Sequence, residues 1–232
     1  MPDPIVAAPA APTLAVRGDA RRFPVHRIYC VGRNFAEHAR EMGSEIDRGT
    51  PVFFMKPADA VLAGGGEQPF PSATSDLHHE VELVVALGRD AEGEVTADQA
   101  MALVLGYALG LDLTRRDLQA KAKAKGLPWD TAKGFDRSAP ISEVIPAAQF
   151  GALAAQRLTL SVNGSVRQQA PLSDMVWSVP EIIAELSRLY ELRAGDLIFM
   201  GTPAGVAALQ PGDRYHAAID ELLHLDGSFT SR

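Results

Sequence analysis

The chain has 232 residues, 47% of them hydrophobic, and a formal net charge of −7, which suits one sizeable domain with an ordinary core. The acidic balance, with no Lys/Arg cluster, argues against nucleic acid or an anionic membrane surface as the main partner, and no apolar run approaches the roughly 20 residues of a membrane span. The single cysteine, Cys30, excludes an intrachain disulfide framework and reads as a buried core thiol, while an opening without a basic n-region is no secretory signal, so the cytoplasm is the expected compartment.

In chain order, residues 1–24 read as an Ala/Pro-rich N-terminal extension with one edge strand, and residues 25–232 as a single domain. "HRIYCVG" (26–32) has the content of a strand, and "RNFAEHAREMG" (33–43) follows as a short helix stopped by Gly43. "PVFFMKP" (51–57) is a short strand bounded by prolines, and "EVELVVALG" (80–88) a strand ended by Gly88. A helix is expected over 97–104 and a strand over 106–113, "GYALGLDL". "TRRD" (114–117) has capping-box spacing and should open a helix reaching Lys125, closed by Gly126 and Pro128. Asn163-Gly164 inside "LTLSVNGSVRQQ" (158–169) predicts a tight hairpin. "SVPE" (178–181) is a second capping box, opening a helix through Tyr190. "GDLIFMGTPAGV" (195–206) reads as a turn, a strand and a Gly-Thr-Pro turn. Strands dominate without regular βαβ alternation, so the expected fold is a β-rich α+β domain rather than a doubly wound sheet.

The strand at 80–88 carries two carboxylates, Glu80 and Glu82, two positions apart in an apolar run. Such residues share a strand face at about 6.6 Å, where two ionised carboxylates repel by roughly 2–3 kcal/mol at an effective dielectric of 20. Either the face is wet, or a cation sits on it, or one group keeps its proton. Val84 and Ala86 on the same face speak against a simply wet surface, and carboxylate oxygens suit a hard divalent ion, Mg²⁺ or Mn²⁺. His78 shares the parity and would soften such a site towards Zn²⁺; the plainer reading is a structural histidine at a strand start.

Asp112, ending an apolar strand before a helix, is a candidate ligand or an ordinary turn residue. Arg116 and Gln119 are i and i+3 on the following helix and together suit a substrate carboxylate and a carbonyl oxygen. His38 and Glu41 have the same spacing, which lets the carboxylate orient the imidazole as a general base requires. Lys133 in "WDTAKGF", Lys56 in "FMKP" and Thr202 in "MGTPAGV" stand at loops and strand ends. Oxyanion stabilisation is open to Lys133, and each has the competing reading of an ordinary solvated side chain. "GTPAGV" lacks the lysine and spacing of a phosphate-binding loop.

Together, "VGRNFAEHAREMG", "FFMKPADAV", "LHHEVELVVALG", "GYALGLDLTRRDLQ", "KGLPWDTAKGFDRSAPIS", "VNGSVRQQ" and "GDLIFMGTPAGV" resemble, in order, the fumarylacetoacetate hydrolase family. The likeness runs from residue 25 to 220 and is to the short single-domain fumarylpyruvate hydrolases and acylpyruvases. It implies a mixed β-sandwich roll that forms a homodimer. It implies Glu80, Glu82 and Asp112 as ligands of Mg²⁺ or Mn²⁺, and His38 with Glu41 as a water-activating dyad on a lid helix. Arg116, Gln119 and Lys133 would bind substrate and stabilise an oxyanion, with Lys56 and Thr202 lining the pocket. The implied partner is a small-molecule 2,4-diketo acid, fumarylpyruvate first and simple acylpyruvates second, cleaved hydrolytically between C3 and C4. Relatives of the same family decarboxylate oxaloacetate or isomerise diacids, and a metal-dependent binding protein without turnover is the reading from another class.

Overall fold

A computed structural model describes residues 5–7, 9–41, 48–153 and 156–231. Strands Val81–Leu87 and Val104–Leu111 pair antiparallel at the centre of an eight-stranded mixed sheet. Its order is Val52–Lys56, Ile28–Gly32, Leu197–Phe199, Val81–Leu87, Val104–Leu111, Ala139–Ile141 and Val61–Ala63, with Ile145–Pro146 also pairing to Val104–Leu111. A five-stranded sheet runs Ser165–Pro171, Arg157–Val162, Arg214–Ile219, Leu223–Thr230 and Gly66–Pro69.

Every residue of Val81–Leu87 is buried, because the central sheet is covered on both faces. Leu83 and Val85 enter one core with Leu158 and Leu160 of the second sheet and Ile182 and Leu186 of the helix Val179–Leu189. Val84 and Ala86, on the opposite face, enter a second core with Ala108, Ile141 and Phe199. Leu14 and Phe23 close that second core from an N-terminal hairpin of two strands, Thr13–Val16 and Asp19–Pro24, where the sequence suggested one edge strand. Among the described residues no helix is long and apolar enough to cross a membrane.

Several expectations shift at their ends. The helix after Ile28–Gly32 spans Ala36–Glu41, and its expected stop, Gly43, lies outside the described residues. The 97–104 segment is one α-turn, Ala97–Ala100, and a 3₁₀ turn, Met101–Leu103, before the strand resumes. Asn163 and Gly164 both take positive φ, 51° and 79°, as the two-residue hairpin requires. Glu181 accepts from both the Ser178 N–H and its Oγ, the reciprocal half of the expected cap.

The "TRRD" cap does not form. Thr114 Oγ1 donates to the Asp112 carbonyl, and Asp117 accepts from Thr74 Oγ1 and Leu118 N–H, so the helix starts one residue later than that cap would place it, as Arg116–Lys125. Gly126 closes it with φ 64°.

Gly110 faces Glu82 across the central ladder. A Cβ there would stand 2.7 Å from the Phe199 ring and 2.8 Å from Val84 Cγ2. Gly110→Ala is therefore expected to lose about 1–3 kcal/mol through overpacking, read as a lowered denaturant midpoint. An unchanged midpoint would contradict this packing.

Candidate active site

Three carboxylates meet because of register. Glu82 pairs with Gly110 and Val81 with Leu111, so Asp112 falls opposite Glu80, and its N–H donates to the Glu80 carbonyl at 2.8 Å. Glu80 and Glu82 share the face of Val84 and Ala86, and all three acids are buried. One ligand oxygen from each lies within 4.8 Å of the others. The wet-face reading therefore fails.

Cations answer two of the three. Lys133 Nζ lies 2.7 Å from Glu80 and 2.6 Å from Asp112, Lys56 Nζ lies 2.8 Å from Asp112, and the Arg116 guanidinium grips Glu80. Burial works to raise the Glu80 carboxyl, but Lys133, Arg116 and His38 outweigh it and hold it low. Burial also opposes the charge of Lys133, yet Asp112 and Glu80 lift its ammonium above the usual value. Glu82 is left with the Gly201 N–H at 2.6 Å. Burial first, then the charges of Asp112 and Glu80, push its carboxyl well above the ordinary range. An ammonium already bridging two of the acids, and a third acid short of positive charge, fit a hard divalent cation.

His38 reaches this centre from the helix Ala36–Glu41. Asn34 anchors the start of that segment: its Oδ1 accepts from the Trp177 N–H, and its Nδ2 donates to the Trp177 and Met200 carbonyls. Gly201 has φ 90°, and a Cβ on it would lie 2.7 Å from that of Asn34, so only glycine allows the approach. His38 Nδ1 stands 3.3 Å from Glu41 Oε2, and Glu41 also accepts from the Gly205 N–H. Burial holds the imidazole below its ordinary value in spite of Glu80 and Glu41.

One pocket is lined by His38, Glu80, Glu82, Asp112, Arg116, Gln119, Lys133 and Thr202. Glu41 stands behind His38 and outside it. Lys56 does not line the pocket either: it is fully buried beneath Asp112, with Nζ also donating to the Leu113 and Lys133 carbonyls. Thr202 Oγ1 donates to the Val81 carbonyl and accepts from Gln168, which ties the Gly-Thr-Pro turn to the glutamate strand. His78 is no part of the carboxylate group; its Nε2 meets Asp76 at 2.8 Å. Cys30 is buried, and burial pushes its thiol well above the ordinary value, so it is an inert core residue.

The Fumarylacetoacetate (FAA) hydrolase C-terminal family matches residues 27–229. The chain belongs to the fumarylacetoacetate hydrolase family. A fumarylpyruvate hydrolase from Pseudomonas aeruginosa, solved with Mn²⁺ and pyruvate, is 44% identical, superposes with a TM-score of 0.94, and aligns over 99% of this chain and 100% of its own. A mitochondrial oxaloacetate tautomerase of Rattus norvegicus is 45% identical over 198 residues, 85% of this chain and 89% of that protein. An oxaloacetate tautomerase of Escherichia coli strain K12 is 42% identical over 199 residues, 85% of this chain and 90% of that protein. The fold is thus the fumarylacetoacetate hydrolase type, mostly sheet with short peripheral helices, as the resemblance implied.

Six further residues line the pocket, Arg33, Phe54, Lys123 and Trp129 among them. Lys123 was legible, since it stands i+4 from Gln119 and i+7 from Arg116 on one helix face. Arg33 carried no such signal.

Proposed function

We propose that the chain is a divalent-metal hydrolase of 2,4-diketo acids, with fumarylpyruvate as its substrate and pyruvate and fumarate as products. What supports hydrolysis is the position of His38, a buried, neutral-leaning imidazole braced by Glu41 in the same pocket as the three carboxylates. Attack by water needs such a base, whereas decarboxylation needs no activated water; keto–enol transfer would use the same base at C3. The fumarylpyruvate hydrolase is 44% identical and the rat tautomerase 45%, so identity supports the two substrates equally.

Glu80, Glu82 and Asp112 would hold Mg²⁺ or Mn²⁺, which would supply a Lewis acid for the 2-oxo oxygen and a sink for enolate electrons. With its Nδ1 proton turned to Glu41, His38 takes a proton from water at Nε2 as the oxygen adds to C4. Lys133 and Gln119 donate to the oxyanion that forms there. Arg116 balances the charge of the substrate carboxylate. Collapse of the adduct breaks the C3–C4 bond, the electron pair leaves with the pyruvate enolate, and His38 returns its proton to C3. Thr202 and Lys56 act from behind, Thr202 by fixing the turn and Lys56 by fixing Asp112. The same reading carries a cytoplasmic homodimer, with residues 25–232 as the catalytic domain.

A second reading is favoured by the tautomerase relatives: oxaloacetate as substrate, with His38 moving a proton at C3. Side-by-side assays with Mg²⁺ or Mn²⁺ separate the two. Loss of diketo-enol absorbance with release of pyruvate and fumarate is the expected result. Turnover of oxaloacetate alone would leave the metal site standing and remove the hydrolytic role of His38.

A further inference from the structure

Beside the carboxylate cluster the pocket carries a second group of charges. Arg33, Arg116 and Lys123 all line it. Arg116 is engaged by Glu80 and by Gln119, whose Oε1 accepts at 2.6 Å. Among the described residues neither Arg33 nor Lys123 makes an ion pair with a carboxylate, and the attraction of Glu80 for Lys123 is outweighed by burial and by Arg116 and Arg33. Lys123 rests its ammonium 5.2 Å from the centroid of the Trp129 ring, a contact that orients a cation without neutralising it. Burial, then the like charges of Arg116 and Arg33, press that ammonium below its usual value, so an anion between these groups would relieve a standing repulsion. Arg33 follows the strand Ile28–Gly32 with φ 61°, a left-handed conformation costing about 1–3 kcal/mol in a non-glycine residue. That strained backbone sits directly before the anchored Asn34.

The helix Arg116–Lys125 sets the direction. Arg116, Gln119 and Lys123 share one face, and the rise from Arg116 to Lys123 is about 10 Å. A substrate with one end on the carboxylate cluster and Arg116 would run along this face towards Lys123.

We propose that Lys123 and Arg33 form a second anion subsite, which receives a carboxylate at the far end of the substrate and so selects dianionic over monoanionic 2-oxo acids. This rests on the diketo-acid reading for the near end and deepens it. Fumarylpyruvate carries that distal carboxylate at C7, acetylpyruvate ends in a methyl group, and the second carboxylate of oxaloacetate, at C4, is too near the reacting carbons to reach the subsite.

The test compares wild type, Lys123→Met, Arg33→Met and the double variant as full chains loaded with Mn²⁺, with melting temperatures confirming the fold. Each single variant is expected to lose about tenfold in kcat/KM for fumarylpyruvate and less than about twofold for acetylpyruvate, the size of one lost charge contact. A readout without turnover uses fumarate and crotonate, which differ by a carboxylate against a methyl group. Titration calorimetry should show wild type preferring fumarate and the double variant losing that preference. Equal losses on both diketo acids, or an unchanged preference for fumarate in the double variant, would overturn the subsite. If wild type cleaves neither diketo acid, it is the hydrolytic reading that fails. The subsite is then decided by fumarate inhibition of oxaloacetate turnover, which must weaken in the double variant and overturns the proposal if it does not.

Discussion

Glu82→Gln is expected to remove metal-dependent turnover, by about 10³-fold or more, while leaving the folded state intact. The substitution keeps the shape of the side chain and an oxygen able to accept the Gly201 N–H at 2.6 Å. It deletes one of three acids whose ligand oxygens lie within 4.8 Å of one another. Of the three, Glu82 has no lysine or arginine at ion-pair distance among the described residues, since Lys133 bridges Glu80 and Asp112, and Lys56 serves Asp112. It is therefore the acid with most to gain from an added cation and least structural duty without one. A Lewis acid contributes several kcal/mol to such a reaction, and each 1.36 kcal/mol is tenfold in rate, which sets the scale of about 10³. Two measurements make the result specific. Without metal, the variant should unfold at the same or a higher denaturant concentration than wild type, because a buried carboxylate crowded by two others is gone. With Mn²⁺ at about 100 times its dissociation constant, wild type should gain about 2.7 kcal/mol and the variant far less. A variant that gains as much as wild type would remove Glu82 from the ligand set.

How much of this was legible depends on how local each signal is. Asn163-Gly164, Ser178–Glu181 and Gly126 announce turns and caps through their own backbone demands, and the chain obeys them. The "TRRD" cap failed because Asp117 is taken by Thr74, a residue 43 positions earlier that no local pattern connects to it. Glu80 and Glu82 were visible as a conflict within one strand. Asp112 was visible only as a candidate, because its place opposite Glu80 is a matter of strand register. Lys56 shows the same limit in reverse: the family resemblance implied a pocket residue, whereas the fold sets it beneath the pocket as a buried partner of Asp112. The anchoring of His38 through Asn34, Gly201 and Glu82 joins segments more than a hundred residues apart, and spacing carries no trace of it.

His38→Ala is expected to lose about 10²–10⁴-fold in kcat with the metal site intact, the usual span for a general base. The imidazole lies in the pocket and Glu41 stands outside it, 3.3 Å from Nδ1. Glu41→Gln should therefore cost less than loss of the ring itself, since it removes orientation and charge but leaves a basic nitrogen. The pH profile carries the sign. Burial favours the neutral ring over the imidazolium, which places the acid limb of wild-type kcat/KM below the ordinary histidine value of 6.5. Activity should hold as pH falls towards that value and drop only beneath it. In Glu41→Gln the imidazolium loses a stabilising carboxylate, so the limb should move further down, and in His38→Ala it should vanish. The alanine variant should still bind Mn²⁺ with wild-type affinity, because none of the three acids depends on His38 for its place. An alanine variant retaining over half of normal activity on the diketo acid would end the general-base assignment. Full loss of fumarylpyruvate cleavage with oxaloacetate turnover preserved would instead assign His38 to activating water and nothing else, and would make the metal centre alone sufficient for the enolate chemistry.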